Sequence, residues 1–323
     1  MNKSISNKNS KFSLIKEQWF FLLIVVIIMS VITAFVNPNY INMSNITSIL
    51  AQISVLGIVA SGATILIISG NFDISVGAII GLSTCIMAKM MSAEIPIFLA
   101  VCVGILVAIV CSLFNAACSI LFKAPTFIIS LASTGIFRGI ALAFTEGTIQ
   151  TIYGKFEVLG TDKLFNVIPY LFLISLLVYG IVFFILKKTK LGRRVYAIGN
   201  NARASYLSGI KVKANKLVFF GINGFLVGIA AMLLLSRVGA VQPSTGAGTE
   251  LKAIGAVVIG GAPMTGGKGK IVGTFFGVLL MGVISNVLNM LRVNAYLQDI
   301  VFGVLVIVAL AVSMIGQTSK ESV

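Results

Sequence analysis

The sequence contains no histidine, only four cysteines and one tryptophan, and just 10% of its 323 residues are charged. The cysteines lie inside apolar stretches without CxxC spacing, at Cys85, Cys102, Cys111 and Cys118. Structural zinc sites and Cys/His or Ser/His catalysis need residues that are missing or wrongly spaced here. The nine acidic residues form no clusters for acid–base or metal chemistry. We therefore expect no enzyme and no metal site, and interpret the cysteines as small packing residues.

Apolar residues are abundant, with 58% of the chain hydrophobic and a mean hydropathy of +1.07. This composition indicates that the solvent is lipid. At about 20 residues a span, the chain has room for roughly ten crossings and no separate soluble domain. The net charge of +15 then reflects basic cytoplasmic loops, and we expect no nucleic-acid binding.

Ten apolar stretches can be placed as membrane-spanning helices. They cover residues 19–36, 47–69, 74–91, 97–122, 126–144, 166–186, 217–236, 250–264, 271–291 and 298–315. The first is too long for the apolar region of a secretory signal, and no A-x-A site follows it. The sequence therefore predicts an all-α integral membrane protein of about ten transmembrane helices, forming one domain over residues 1–323.

The basic residues test this count, because Lys and Arg collect on cytoplasmic loops. With the N-terminus inside, 17 of the 24 fall in segments assigned to the cytoplasm, nine of them between Lys187 and Lys216. If either short stretch, 74–91 or 250–264, failed to cross, a lysine-bearing loop would lie outside. The pattern predicts cytoplasmic tails at 1–18 and 316–323 and a cytoplasmic loop at 187–216.

Two stretches are short or interrupted by glycine, at comparable places in the two halves of the chain. Residues 69–77, Ser-Gly-Asn-Phe-Asp-Ile-Ser-Val-Gly, open the third stretch. The motif Gly260-Gly261-Ala262-Pro263, followed by Gly266-Gly267, closes the eighth. Broken helices at matching positions of a repeated transporter point to its pathway. We predict two pseudo-repeated halves, each with a glycine-broken element beside the pathway.

The loop 187–216 contains the signals of a short helix. An asparagine N-cap at Asn201, tolerable helix formers over residues 202–208 and a glycine at Gly209 predict a helix on the inner membrane surface. Such a helix could receive force from a partner protein. A solvated loop that only fixes topology is equally compatible with these residues.

Four stretches of the chain match the signatures of one family. Residues 70–77 resemble G-x-D-L-S-V-G, and residues 127–139 resemble F-I-x-T-L…R-G. Residues 191–210 resemble a cytoplasmic coupling segment, and residues 242–269 resemble the final glycine-rich signature. Running in family order from about residue 45 to 310, they resemble the ribose/xylose/arabinose/galactoside group of ABC importer permeases, within the larger family that includes branched-chain amino-acid permeases.

The resemblance implies a ten-helix subunit of the bacterial cytoplasmic membrane that pairs with a second permease copy or a paralogue. It also implies cytoplasmic ABC ATPase subunits, which hydrolyse the ATP so that this chain binds no cofactor, and an extracytoplasmic sugar-binding protein. The implied substrate is a ribose-like pentose or similar monosaccharide, with nucleosides or another small polar solute as the alternative. Two departures leave substrate identity open: Lys252 stands where the family commonly has Asp, and Ala262-Pro263 replaces Thr-Ser.

Polar residues inside the apolar stretches are candidates for the substrate pathway. A carboxylate at a helix centre costs about 2.5–3.5 kcal/mol, so we expect Asp73 at a helix start, as an N-cap or first-turn acid rather than a sugar ligand. Arg138 fits an ion pair with Asp73 or Glu146 as well as a substrate role. The pathway candidates are Asp73, Ser75, Asn115, Thr134, Arg138, Gln242, Glu250, Asn286 and Asn289. The ATPase-coupling candidates are Gly199, Asn200, Asn201, Ala202, Arg203, Ala204, Ser205 and Gly209.

Two rival interpretations fit the sequence less well. The Gly-Gly-Lys-Gly-Lys stretch at 266–270 fails the P-loop pattern, because Ala262 stands six residues before Lys268 and Gly269 replaces the required Ser or Thr. An ion-coupled secondary transporter needs coupling-ion ligands within its helices. Of the nine acidic residues, only Asp73 is clearly associated with a membrane break.

Overall fold

The computed structural model describes residues 18–152 and 154–321, and nearly all their regular structure is helical. The helices are α1 (Gln18–Val36), α2 (Met43–Ile68), α3 (Val76–Ser92), α4 (Ile97–Phe122), α5 (Thr126–Thr145), α6 (Val158–Thr161), α7 (Tyr170–Lys188), α8 (Lys190–Asn200), α9 (Ala202–Leu207), α10 (Val212–Val238), α11 (Thr249–Ile259), α12 (Ile271–Met290) and α13 (Ala295–Glu321). A 3₁₀ helix covers Pro38–Ile41. The short strands are β1 (Gln150–Thr151), β2 (Lys163–Leu164), β3 (Ile168–Pro169) and β4 (Ala240–Val241). The all-α prediction is confirmed.

Each of the ten predicted stretches is occupied by a helix, in the same order. Seven described helices, α1, α2, α4, α5, α7, α10 and α12, are long and apolar enough to cross a membrane. Of the other three, α3 and the part Ala295–Ala311 of α13 are shorter apolar helices, and α11 has only 11 residues. The prediction of an integral membrane protein is confirmed, whereas ten crossings, cytoplasmic termini and the internal repeat stay predictions.

The structure describes the C-terminal one of the two predicted tails more fully than the N-terminal one. Residues 1–17 of the N-terminal tail lie outside the described residues. At the other end, α13 continues to Glu321, so helix occupies positions where the sequence predicts a tail from 316 onward.

Helix α2 occupies the centre of the bundle. In its most apolar window 89% of the residues are buried, against 17% in α1 and 22% in α5. Because α2 is apolar on all faces and enclosed by protein, its neighbours pack around it. The exposed apolar faces of α1 and α5 are those of helices that contact lipid or another membrane protein.

Glycines allow α10 to approach α4 closely. A Cβ on Gly224 would lie 2.7 Å from the carbonyl oxygen of Ala108, and one on Gly228 would lie 2.8 Å from Cα of Ile105. The two glycines are four residues apart and share one face of α10. Small residues at such spacing let helix backbones touch in a membrane, where lipid supplies no hydrophobic driving force between helices.

The loops gather at two ends of the bundle. One end, here the basic end, carries residues 69–75, 123–125, 189–211 and 260–270, with Tyr196 Oη donating to the carbonyl of Gly269 at 2.9 Å. The opposite end carries residues 93–96, 146–152, 154–169 and 239–248, where β1 pairs with β4 antiparallel. There Lys155 pairs with Glu94 and donates to the carbonyl of Met91 at 3.2 Å. The sequence assigns the basic end to the cytoplasm.

Candidate functional site

A non-helical segment, residues 69–75, connects α2 to α3 inside the bundle. Its backbone lies along α5, where hydroxyls spaced one turn apart supply hydrogen bonds. Thr126 Oγ1 accepts from the Phe72 amide and Ser130 Oγ accepts from the Ile74 amide, each at 3.0 Å. Thr134 Oγ1 donates to the Ile74 carbonyl at 3.5 Å. This hydroxyl ladder satisfies backbone groups that lipid could not, which is the condition for irregular backbone at membrane depth.

The carboxylate of Asp73 is held in a cage of neutral donors. Oδ1 accepts from Ser75 N at 3.1 Å, Ser75 Oγ at 2.6 Å and Asn115 Nδ2 at 3.1 Å. Oδ2 accepts from Ser112 Oγ at 3.3 Å and Asn223 Nδ2 at 3.2 Å. All five residues are buried, and four of them are fully so. The Asp73 cage therefore joins the start of α3 to α4 and α10.

Two expectations about Asp73 and Arg138 are wrong. The N-cap of α3 is Ser75, so Asp73 precedes the cap and accepts its backbone N–H instead of capping the first turn. No ion pair involves Arg138 within the described residues, where the one pair recorded is Lys155 with Glu94. Neutral donors already fill the acceptor sites of Asp73, and Glu146 is exposed, so neither acid holds the guanidinium.

A second non-helical segment, residues 242–248, precedes α11 and packs into the bundle from the opposite end. It lies along a glycine face of α3: a Cβ on Gly81 would be 2.6 Å from the Pro243 carbonyl, and one on Gly77 2.5 Å from the Gly246 carbonyl. Gly77 precedes the α3 end at Ser92 by 15 residues, or about 22 Å along the helix. In the second half, the non-helical segment that packs into the bundle thus consists of turns before α11, while the predicted break at 260–267 is a glycine turn after it.

Arg138 and Glu250 flank the first turn of α3. Glu250 lies in the first turn of α11, where its Oε1 accepts from the Gly248 amide at 3.2 Å. Its Oε2 is beside Gly77 of α3 and has no hydrogen-bond partner, although it is buried. The Nε of Arg138, one turn beyond Thr134 on α5, is likewise buried without a partner. Electrostatically, Glu250 interacts with Arg138 and Lys252.

The remaining pathway candidates lie elsewhere. Gln242 is exposed at the opposite end. Asn286 forms two amide hydrogen bonds with Asn45, of 2.7 and 3.1 Å, which join α12 to α2. Asn289 accepts from Gln298 at 2.8 Å, which joins α12 to α13. The structure thus brings Asp73, Ser75 and Asn115 together. It places Thr134, Arg138 and Glu250 on neighbouring helical turns. The candidates Gln242, Asn286 and Asn289 lie apart from both groups.

Three chain segments meet in a glycine junction at the basic end. The Gly267 amide donates to the Ile68 carbonyl at the end of α2, at 2.8 Å. A Cβ on Gly266 would lie 2.9 Å from the Gly70 nitrogen, and one on Gly199 would collide with the Ile68 carbonyl. The last turn of α8 is therefore wedged between the end of α2 and the turn that joins α11 to α12.

The predicted short helix is present as α9, and a longer helix precedes it. Asn201 caps α9 by accepting from the Ala204 amide at 2.8 Å, and Gly209 ends it at φ 83°. Of its side chains only Ser205 is buried, while Tyr206 and Leu207 are 69% and 77% exposed. The sequence interpretation missed α8 and these two exposed apolar residues.

Signals for the missed residues exist in the sequence. Leu191, Val195 and Ile198 recur at helical spacing among arginines, which is the pattern of a surface helix. Ser112 and Asn223 stand inside apolar helices, where a polar side chain needs a partner. Nothing in the sequence says that their partner is Asp73.

Comparisons with known proteins agree with the resemblance seen in the motifs. The family model described as branched-chain amino acid transport system / permease component matches residues 45–310. The chain is 36% identical over 314 residues to the ribose import permease protein RbsC of Haemophilus influenzae, covering 94% of this chain and 96% of that protein. It is 38% identical over 292 residues to RbsC of Bacillus subtilis, covering 89% of each. Against the D-allose transport system permease protein AlsC of Escherichia coli, identity is 34% over 313 residues, covering 96% of this chain and 95% of that protein. No solved structure matches the chain.

Proposed function

We propose that this chain is the membrane subunit of an ABC importer for a monosaccharide. The premise is that it belongs to the branched-chain amino acid transport system / permease component family. A ribose-like pentose is the proposed substrate. The chain is an integral protein of the cytoplasmic membrane. Relatives whose names state ribose and allose import support the sugar assignment.

The observation that carries the proposal is the contact between the coupling surface and the bundle. We define the coupling surface as α9 with its flanking residues 199–201 and 208–209. Its exposed apolar residues are Tyr206 and Leu207. Arg203 on the same helix and Arg193 and Arg194 on the preceding α8 are exposed cations. An apolar anchor with a basic rim fits a protein partner with an acidic-rimmed groove. The proposed partner is the ABC ATPase, since residues 266–270 lack a P-loop.

Motion of the coupling surface would act on the substrate path through α8. The helix buries Val195 and Ile198 against the bundle, and Gly199 in its last turn packs in the glycine junction. A push on α9 therefore moves the end of α2 and the turn after α11 together. The end of α2 leads directly into segment 69–75, and the turn lies at the other end of α11 from segment 242–248. In this proposal, ATPase closure therefore moves the elements that connect to both segments.

The complete importer requires two further proteins in this proposal. An extracytoplasmic binding protein delivers the sugar to the opposite end of the bundle. A second permease, either a copy or a paralogue, covers exposed apolar surface of the kind that α5 presents at Ile136 and Ile140. ATP binds only to the ATPase subunits.

Reconstitution tests this function directly. Purified permease, ATPase and binding protein are placed in proteoliposomes, and uptake of labelled D-ribose is followed with ATP, without ATP and without ATPase. We expect uptake only in the complete, ATP-loaded system. Uptake that needs no ATPase but follows a proton or sodium gradient would refute the importer proposal. Competition by nucleosides and not by sugars would retain the machinery and replace the substrate.

A further inference from the structure

Two buried polar atoms of opposite chemistry lie near the first turn of α3 without partners. Glu250 Oε2 can only accept hydrogen bonds when ionised, and Arg138 Nε can only donate. Among the residues that the structure describes, neither atom has a hydrogen-bond partner. An unmade hydrogen bond at a buried charged group is costly. The structure thus encloses one strong acceptor and one strong donor, both without a hydrogen bond, on two side chains that interact electrostatically.

The position of the two atoms is within the membrane-spanning part of the fold. The glycine face of α3 places Glu250 about 22 Å from the α3 end at Ser92. Arg138 follows Thr134 by one helical turn on the stripe of α5 that carries the hydroxyl ladder. Glu250 follows the non-helical segment 242–248 and accepts from its Gly248 amide, and Thr134, one turn before Arg138, contacts the non-helical segment 69–75. Such segments line the substrate site in transporters.

The neighbouring charged residues do not supply the hydrogen bonds that Glu250 Oε2 and Arg138 Nε lack. Lys252 interacts electrostatically with Glu250, but its Nζ lies 4.5 Å from the ring centre of Phe302 on α13, in a cation–π contact. That contact joins α11 to α13 and explains a lysine at this position by helix packing. Asp73, the other buried acid nearby, already accepts five hydrogen bonds.

A neutral diol is the ligand that matches this arrangement. Each sugar hydroxyl is both a donor and an acceptor, so one hydroxyl can donate to Glu250 Oε2 while its neighbour accepts from Arg138 Nε. Both hydrogen bonds are charge-assisted and therefore strong. A ligand with a net charge would be opposed by one of the two side chains, which disfavours it relative to a neutral polyol.

We propose that Arg138 and Glu250 form a diol-recognition pair that binds adjacent hydroxyl groups of the sugar as it crosses the bundle. The inference rests on the proposed function, because it takes a sugar as the substrate. It adds a selectivity step inside the permease, separate from recognition by the binding protein. Thr134 lies one turn away and provides a further hydroxyl for the same ligand.

Uptake of two sugars tests the pair. Wild type, Glu250→Gln and Arg138→Lys are reconstituted with ATPase and binding protein, and uptake of D-ribose is compared with that of 2-deoxy-D-ribose, which lacks one hydroxyl. We expect each variant to lower ribose uptake about tenfold to hundredfold, as loss of a hydrogen bond to a charged group does. Uptake of deoxyribose should fall less, so the ratio of the two rates decreases. Asp299→Asn, which also turns an acid into an amide but at an exposed position of α13, is the control and keeps the wild-type ratio.

A binding measurement separates this inference from the importer proposal. Saturation-transfer NMR on the purified permease with D-ribose needs neither ATPase nor binding protein. Signal from the wild type that is lost in Glu250→Gln and Arg138→Lys, at unchanged melting temperature, supports the pair. Equal signals from all three proteins, or equal losses of ribose and deoxyribose uptake, overturn it. Failure of ATP-dependent uptake by the wild type would instead refute the importer proposal.

Discussion

The backbone nitrogen of Gly267 donates a 2.8 Å hydrogen bond to the carbonyl oxygen of Ile68. Ile68 is the last residue of α2, and the final carbonyls of a helix have no partner within the helix. The bond therefore ties the central helix to the turn between α11 and α12. Because Gly199 packs on the same carbonyl, the α8 end, the α2 end and this turn form one mechanical unit.

Gly199→Ala should uncouple ATP hydrolysis from uptake. A methyl group at this position collides with the Ile68 carbonyl, and overpacking of this kind costs about 1–3 kcal/mol. The α8 end must then move away from the junction. We expect fewer sugar molecules imported per ATP hydrolysed and a lower melting temperature in detergent.

Gly180→Ala on α7 is the matched control for the glycine junction. Nothing lies within 4 Å of a Cβ at Gly180, and alanine favours a helix over glycine by about 0.8–1.0 kcal/mol. This variant should keep wild-type coupling and stability or gain slightly in stability. Wild-type coupling in Gly199→Ala as well would show that the junction does not transmit the motion.

Ser130→Ala should destabilise the segment that opens α3. Lipid offers no substitute acceptor for the Ile74 N–H, so loss of Ser130 Oγ leaves this donor unpaired, at a cost of about 1–3 kcal/mol. Ser48→Ala is the control, because Ser48 Oγ only bonds the carbonyl of Ser44 in its own helix. Thermal unfolding of both variants checks the difference, and equal melting temperatures would contradict the ladder.

The helices were predictable because their signal is local. An apolar run of sufficient length specifies a membrane helix whatever its neighbours are, so each of the ten stretches is occupied. The start of α9 was equally local, since Asn201 bonds an amide three residues away. Helix α10 begins at Val212, five residues before the predicted stretch, because its first turns are amphipathic and polar.

The pairings inside the bundle were not predictable, because they join distant positions. Asp73 and Asn223 are 150 residues apart in sequence, and no spacing rule relates them. Arg138 illustrates the same limit: its helix position was clear, but its charged neighbour is Glu250 and not the expected Asp73 or Glu146. The depth of the non-helical segment 242–248 was not predictable, because glycine and proline mark a turn without showing how far it lies inside the bundle.

Asn286→Ala should affect stability and leave substrate affinity unchanged. The amide of Asn286 exchanges two hydrogen bonds with Asn45, and interhelical hydrogen bonds in membranes average about 0.6 kcal/mol. A double-mutant cycle with Asn45→Ala, read by thermal unfolding, measures the coupling. A rise in KM for uptake without a stability change would restore Asn286 to the substrate pathway.

Asp73→Asn should destabilise the fold although it keeps the shape of the side chain. The amide nitrogen of the new residue would replace one of the two carboxylate oxygens and so would face hydrogen-bond donors. These are Ser112 and Asn223 if it replaces Oδ2, or Ser75 and Asn115 if it replaces Oδ1. Leaving such buried donors unpaired costs about 1–3 kcal/mol, so the melting temperature in detergent should fall measurably. Asp299→Asn, at an exposed position of α13, removes one carboxylate without this effect and serves as the control. If Asp73→Asn melts at the wild-type temperature, the cage does not hold the start of α3. A direct contact of Asp73 with the substrate then becomes the better explanation of a buried carboxylate.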